Sequence, residues 1–413
     1  MRVWIFQTGE PLQIDPVGLR PMRAMSLSNA LIEQGHEVVL WSSNFDHFSK
    51  THRFKKKREI QYSKNLKVKL IPSRGYNSNI GISRLIDHFG LALNLKRMLK
   101  TQLPPDVAFI GYPPIEAPWV IAKWLKKHNT PFLIDVKDAW PEIFVRGLPD
   151  RFQRIIKIMF LPQFMMMKKV FQMADGISAP TQDFLDWCLQ KLPREQNSHD
   201  RVTPITAPDS IIPQEDLKKA EIWLDKLNIK DRGTFRVSYV GSITNSLNFT
   251  PIIEAAKHLP IEFIIAGNGS NYKTLITQCK HLSNIKFLDW IGSAQIDRLY
   301  ARSDLVIAPY VNSFDFQMNI PNKIYDAMSN GKPFITSLSG VITKLINEYK
   351  IGIKYNGEQI SNLTEVLATI IDDKNSLIKF GNNARHLYRK QYTSNKVYSE
   401  LVRDLYELCK YDS

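Results

Sequence analysis

Short apolar runs alternate with longer amphipathic stretches along most of the chain. In the first half, residues 3–6, 36–41, 66–71, 106–110 and 131–135 are brief, largely apolar and rich in β-branched or aromatic side chains, the signature of buried strands. Between the first two runs, residues 21–34 place Ala24, Leu27 and Leu31 on one helical face and stop at Gly35. Residues 82–100 and 115–128 also read as helices. Strand–helix alternation of this kind predicts a parallel sheet covered by helices on both faces.

The pattern restarts near Phe235. Strands are predicted at 235–240, 261–265, 285–288, 305–308 and 334–336, with helices at 248–258, 273–279, 294–301 and 322–330. The intervening stretch, 200–232, is charged and carries Pro204, Pro208 and Pro213, so the domain boundary is placed near residue 210. Two domains are therefore expected, 1–210 and 211–393, with a terminal helical segment, 394–413, that is able to fold back onto the first. A chain of 413 residues with 44% hydrophobic and 23% charged residues can bury two cores.

The same pattern bears on membranes. No apolar run reaches transmembrane length. The nearest approach, 155–169, is Met-rich, interrupted by Pro162 and bordered by cations; it reads either as a helix lying on an anionic membrane or as a buried helix with basic ends. The net charge of +15 points to anionic partners: lipid, nucleic acid or substrate. Part of the excess sits in 50–58, which reads as a solvated loop, and part in 151–169. Cys188, Cys279 and Cys409 are odd in number and widely spaced, which supports neither a disulfide framework nor a zinc site. A reducing compartment is expected, and the amino-terminal residues read as a strand rather than a signal peptide.

The most informative stretch is 321–333, which follows the apolar run ending in Tyr310. Pro321 suits a first helical turn, and Gly331 with Pro333 suits a stop. A helix beginning beyond a strand's carboxyl end offers free N–H groups to a phosphate, and Lys323 adds a full charge. Asp326, three residues on, shares its face and can accept sugar hydroxyls; an ordinary Lys323–Asp326 surface ion pair is the competing reading. Gly267 and Gly269 form a Gly-x-Gly turn that permits close backbone approach to a ligand. Gly18, Arg20 and Arg23 stand at the entry to the first helix as a second, basic clamp. Asp135 and Asp138 lie just past a strand end, where open α/β sheets bind ligands, and either suits orienting a hydroxyl or accepting its proton; a turn or cap role competes.

The segments Gln7 to Pro11, Arg20 to Ala24, Gly35 to Val38, Asp135 to Glu142, Tyr239 to Ser242, Ala266 to Gly269 and Pro321 to Pro333 occur in the order of those in a known family. The chain resembles GT-B glycosyltransferases of glycosyltransferase family 4, in the bacterial surface-polysaccharide (O-antigen and capsule) branch. That resemblance implies an α/β fold of two Rossmann-like doubly wound domains facing across a cleft, and transfer from a nucleotide-diphosphate sugar of UDP or GDP type with retention and without a metal or other cofactor. It also implies donor contacts from Gly241, Ser242, Trp290, Ile291 and Asn322. Two departures stand out. Met318 occupies the place of the first of two family glutamates, with Asp326 in the second, so Asp315 or Asn319 is the candidate substitute. After the first strand of the second domain, Ser242 and the stretch from Asn245 to Asn248 replace an arginine and a lysine.

The expected activity is hexosyl or N-acetylhexosaminyl transfer to a lipid-linked or glycan acceptor, by a peripheral enzyme on the cytoplasmic face of the bacterial plasma membrane. Catalytic roles fall to Asp135, Asp138 and Lys323. A nucleotide-sugar 2-epimerase would share the architecture and isomerise the donor without an acceptor. A nucleic-acid-binding protein would explain the charge but lacks any recognition motif here.

Overall fold

The computed structural model describes residues 1–16, 20–55, 58–78, 81–208, 211–230 and 233–411. It divides into two compact units, Met1–Pro204 with Ser394–Ser413, and Ile205–Thr393. The first contains β1 (Arg2–Phe6), β2 (Glu37–Ser43), β3 (Phe45–Asp46), β4 (Thr51–His52), β5 (Glu59–Ser63), β6 (Leu66–Ile71), β7 (Val107–Tyr112), β8 (Phe132–Val136), β9 (Gly176–Ala179) and β10 (Arg201–Val202). Eight of these form one sheet in the order β10-β9-β8-β7-β1-β2-β6-β5, parallel except for β5, while β3 and β4 pair as a separate hairpin. Strands β7, β8 and β9 are buried along their whole length, as continuous apolar runs covered on both faces must be. Edge strand β5 (Glu-Ile-Gln-Tyr-Ser) is mostly exposed and polar.

The second unit holds β11 (Arg236–Val240), β12 (Glu262–Ala266), β13 (Ile285–Leu288), β14 (Leu305–Ala308), β15 (Phe334–Thr336) and β16 (Gly352–Lys354). All pair in parallel, in the order β13-β12-β11-β14-β15-β16. Numbered within the unit this is 3-2-1-4-5-6, the doubly wound Rossmann order, and connections leave the first strand in both directions. The crevice at that reversal opens at the carboxyl ends of β11 and β14. In the first unit the reversal lies between β1 and β7.

Both sheets are packed by amphipathic helices. Ala24, Leu27 and Leu31 are buried on Arg23–Glu33, against β1, β2 and the terminal helix Ser394–Tyr411, which contributes Tyr398, Leu401, Val402, Leu405 and Leu408. Strands β9, β10 and β16 escape a reading by pattern because two to four residues leave no periodicity to detect. In the basic stretch 50–58, Thr51, His52, Lys55 and Arg58 are exposed, as a solvated loop requires, while the Arg53 side chain turns inward. Arg53 is buried, pairs with Asp15 at 2.7 Å and donates to the carbonyls of Ser43 and Phe45.

The 155–169 segment resolves into two elements. Helix Asp150–Met159 buries no residue and exposes Phe152, Ile155, Ile158 and Met159. Helix Leu161–Met173 carries Pro162 in its first turn and buries Gln163, Met167, Val170 and Phe171. Proline there starts a helix rather than breaking one. Among the described residues no helix is long and apolar enough to cross a membrane.

Candidate active site

In the second unit the site is assembled at the strand-order reversal. β11 ends at Val240 and Gly241 follows; β14 ends at Ala308 and Tyr310 follows two residues later. Helix Asn322–Ser329 then begins behind Pro321, with no side chain capping its amino end. The Ile324 N–H turns back to the Pro321 carbonyl at 3.0 Å, and the absence of a capping side chain is what an anion site at a helix start requires. Lys323 does not turn outward to Asp326. Its Nζ lies 3.2 Å from the Tyr310 hydroxyl and over the rings of Tyr239 and Tyr310, at 5.2 and 5.3 Å.

Gly241 makes room for that path. Its φ of 138° is a region that side chains avoid, and a Cβ there would stand 2.7 Å from Lys323 Cε and Nζ. Burial by itself would lower the lysine's pKa, yet the hydroxyl oxygens of Tyr310 and Tyr239 outweigh it and hold the ammonium above its ordinary value. Among the described residues no carboxylate forms an ion pair with it. The tyrosine oxygens thus keep the lysine charged, and with no carboxylate pairing it the ammonium is available to an arriving anion. Asn322 Oδ1, at the same helix start, is buried and without a hydrogen-bond partner among the described residues.

The Gly267–Gly269 turn proves to be tight for a different reason from the expected one. A Cβ on Gly267 would overlap the carbonyl of Gly241, and one on Gly269 would overlap that of Ile243. The glycines let the loop after β12 press on the loop after β11, so they shape the site from behind. Ser242 is exposed, and its carbonyl accepts from the Tyr239 hydroxyl at 2.6 Å. Asp315, buried in the short helix Phe314–Gln317, takes the Ser313 hydroxyl at 2.6 Å. Asn319 closes that turn through its N–H to Phe316. Phe316 packs on Tyr310 with ring centroids 4.7 Å apart. Trp290, 62% exposed, and the half-buried Ile291 follow β13, two strands from Gly241. Tyr239 and Tyr310 are the residues that sequence reasoning passed over; the available signal was an aromatic hydroxyl at the end of each of the two strands flanking the reversal.

The first unit departs further from expectation. Asp135 is fully buried, 3.1 Å from Arg23 Nε, 3.8 Å from Lys137 Nζ, and accepts from Ser178 Oγ at 2.8 Å. Arg23 is also buried and donates to the Thr203 carbonyl at 2.7 Å. Glu10, missed by the sequence reading, pairs with Lys137 and accepts the Ala24 N–H at 2.9 Å, which fills the amino end of helix Arg23–Glu33 with an internal carboxylate. Asp135 and Arg23 thus lie in an interior ion-pair network rather than on an open face. Asp138, three residues later, is exposed, and Arg20 is half-buried. Gly18 lies outside the described residues.

The comparisons agree with this layout. Residues 221–387 match the family model described as Glycosyl transferases group 1. No curated protein matches the sequence. Among solved structures, sucrose-phosphate synthase from Thermosynechococcus elongatus is similar over 100% of both chains, with 14% identity and a TM-score of 0.75. Anabaena HepE in complex with UDP and glucose is similar over 98% of each chain (15% identity, TM-score 0.63). WaaG, a glycosyltransferase involved in lipopolysaccharide biosynthesis, is similar over 98% of this chain and 99% of its own (14% identity, TM-score 0.65). The chain thus has the fold of GT-B glycosyltransferases in two Rossmann-like units, and its second unit carries the match to a glycosyltransferase family, which together support glycosyl transfer.

Proposed function

We propose that the protein transfers a sugar from a nucleoside-diphosphate donor to a lipid-linked or glycan acceptor in cell-surface polysaccharide synthesis. The observation that carries this reading is Lys323: a half-buried ammonium held on two tyrosines with no carboxylate ion pair among the described residues, beside an uncapped helix start at the strand-order reversal. Departure of the diphosphate concentrates negative charge on its oxygens, and a cation fixed in place beforehand stabilises that charge without reorganising. In this reading helix N–H groups, Lys323 and the Gly241 backbone form the phosphate cradle, Trp290 and Ile291 are assigned to the nucleobase, and Asp326 is assigned to the sugar. Similarity to a UDP-bound neighbour supports a UDP-type donor. In this reading transfer is retaining and metal-independent, of hexosyl or N-acetylhexosaminyl type, within family 4 and its O-antigen or capsule branch.

The exposed helix Asp150–Met159 supports peripheral attachment to the inner face of the plasma membrane. Phe152, Ile155 and Ile158 are flanked by Arg151, Arg154 and Lys157, which suits an anionic interface. Such a location brings the enzyme to lipid-linked acceptors.

Lys323→Ala tests the core of the proposal. The variant should remain folded, checked by its melting temperature, while UDP and GDP lose the ability to raise that temperature and nucleoside diphosphate is no longer released from a panel of nucleotide sugars. Undiminished nucleotide binding and turnover in a folded Lys323→Ala protein would overturn it.

A further inference from the structure

At the carboxyl edge of the first unit's sheet, four loops bring basic and aromatic side chains together away from the Asp135 network. The β3–β4 hairpin contributes His47 and Lys50, the segment after β6 Tyr76, the first turns of helix Ile82–Leu99 Arg84 and His88, and the segment after β8 Trp140. Lys50 Nζ lies 4.7 Å from the Tyr76 ring centre. The Arg84 guanidinium lies 5.4 Å from Tyr76 and 4.9 Å from Trp140. His47 Nδ1 meets the Tyr76 hydroxyl at 2.6 Å and Lys50 Nζ at 3.4 Å. His88 meets Tyr76 edge-on and lies tilted against Trp140, with ring centroids 6.3 and 5.8 Å apart, and so closes the floor.

Two cations are thus held near each other on aromatic faces, where ring attraction fixes them. The neighbouring acids are engaged by other donors. Asp46 takes the Ser49 hydroxyl and N–H and lies 3.6 Å from Arg53; Asp87 takes the Ser73 hydroxyl and the Gly75 N–H. Buried Glu116 lies 3.8 Å from His88, and burial raises its pKa. The positive excess is felt by His47, His88 and Lys50. His47 is pushed down to about 4 by burial, Lys50 and Arg84; His88 to about 3 by burial, Arg84 and His47; and Lys50 is lowered by burial and Arg84. Lys50 also holds a left-handed backbone, φ 57°, which a glycine would adopt at less cost.

From this geometry we propose that the Lys50–Arg84 cluster, walled by Tyr76 and Trp140, is a subsite for a phosphate group carried by the acceptor. Both cations can donate charge-assisted hydrogen bonds to phosphate oxygens, His47 supplies a polar edge, and the rings offer flat apolar walls to an attached sugar or prenyl chain. The acceptor class is then a phosphorylated glycan or a lipid-diphosphate saccharide rather than a neutral one. The inference rests on the glycosyl-transfer reading.

The test follows the His47 imidazole by NMR in the full-length protein, assigned with His47→Asn, while glucose 1-phosphate, geranyl diphosphate, phosphatidylglycerol vesicles or maltose is added. UDP binding is measured in parallel. A bound phosphate offsets the repulsion from Lys50 and Arg84, favours protonated imidazole and should raise the His47 pKa by about one unit or more. Arg84→Gln should abolish that response yet leave UDP binding intact. A shift with glucose 1-phosphate supports a phosphorylated sugar, and one with geranyl diphosphate alone a lipid diphosphate. Response to vesicles alone, or to maltose as strongly as to the phosphates, or to nothing while UDP still binds, overturns the subsite and leaves the donor site standing. Loss of UDP binding in the unmodified protein would instead fall on the transfer reading.

Discussion

Replacing Asp135 by asparagine separates an anchoring role from a catalytic one. The carboxylate is wholly buried and faces an equally buried Arg23 at 3.1 Å. Asparagine keeps an acceptor for Ser178 but removes the charge, leaving Arg23 and Lys137 against Glu10 alone. Breaking a buried pair from one side costs roughly 3–5 kcal/mol; the lower end applies because Lys137 keeps some solvent contact and Glu10 remains, giving about 3 kcal/mol. For a unit of roughly 200 residues that corresponds to a fall of about 6–12 °C in Tm. Differential scanning calorimetry on the full chain measures it, resolving the transition of the first unit. Arg23→Met with Asp135→Leu should recover much of the loss, since an apolar pair needs no compensation. An Asp135→Asn protein that melts within about 1–2 °C of the parent but transfers no sugar would refute the anchoring assignment and return Asp135 to catalysis.

Gly241→Ala should weaken UDP binding about tenfold or more, read by calorimetric titration, because the new methyl group displaces Lys323 and strains a φ of 138°. Gly267→Ala should lower the Tm of the second unit by overlapping the Gly241 carbonyl, and unaltered stability would contradict the loop packing. Stability should fall in acid through His47 and His88. Their folded pKa values are about 4 and 3 against an ordinary 6.5, so protons bind the unfolded chain first and stability is lost as pH drops below 6.5. The slope is at most about 1.4 kcal/mol per pH unit for each, less for half-buried His47, and urea titrations of His88→Asn should show a flatter acid limb. Ile155→Ser with Ile158→Ser should reduce sedimentation with phosphatidylglycerol vesicles at constant Tm, as both side chains are exposed.

Ten strands were legible directly as apolar runs rather than by periodicity: β1, β2, β6, β7, β8 and β11 to β15, since burial on both faces favours uninterrupted hydrophobic residues. Helix Asn322–Ser329 was equally plain, because proline and glycine restrict the backbone locally. The site was legible as a list of residue types rather than as an arrangement. Nothing in the spacing of Lys323 and Asp326 distinguishes a surface pair from a lysine turned inward onto two tyrosines, and nothing near Gly267 announces that its neighbour is Gly241.

Sequence by itself therefore determined the alternation of elements, the presence of two units and the positive charge that calls for anionic partners. Those properties depend on local sterics and on solvent, which each segment meets alone. Tertiary structure decided which charges are satisfied. It paired Asp135 with Arg23 and Glu10 with Lys137 across more than a hundred residues, and it left Lys323 facing only hydroxyls. Charge satisfaction depends on distance and burial between segments far apart in the chain, and only the folded sheet brings those segments within reach.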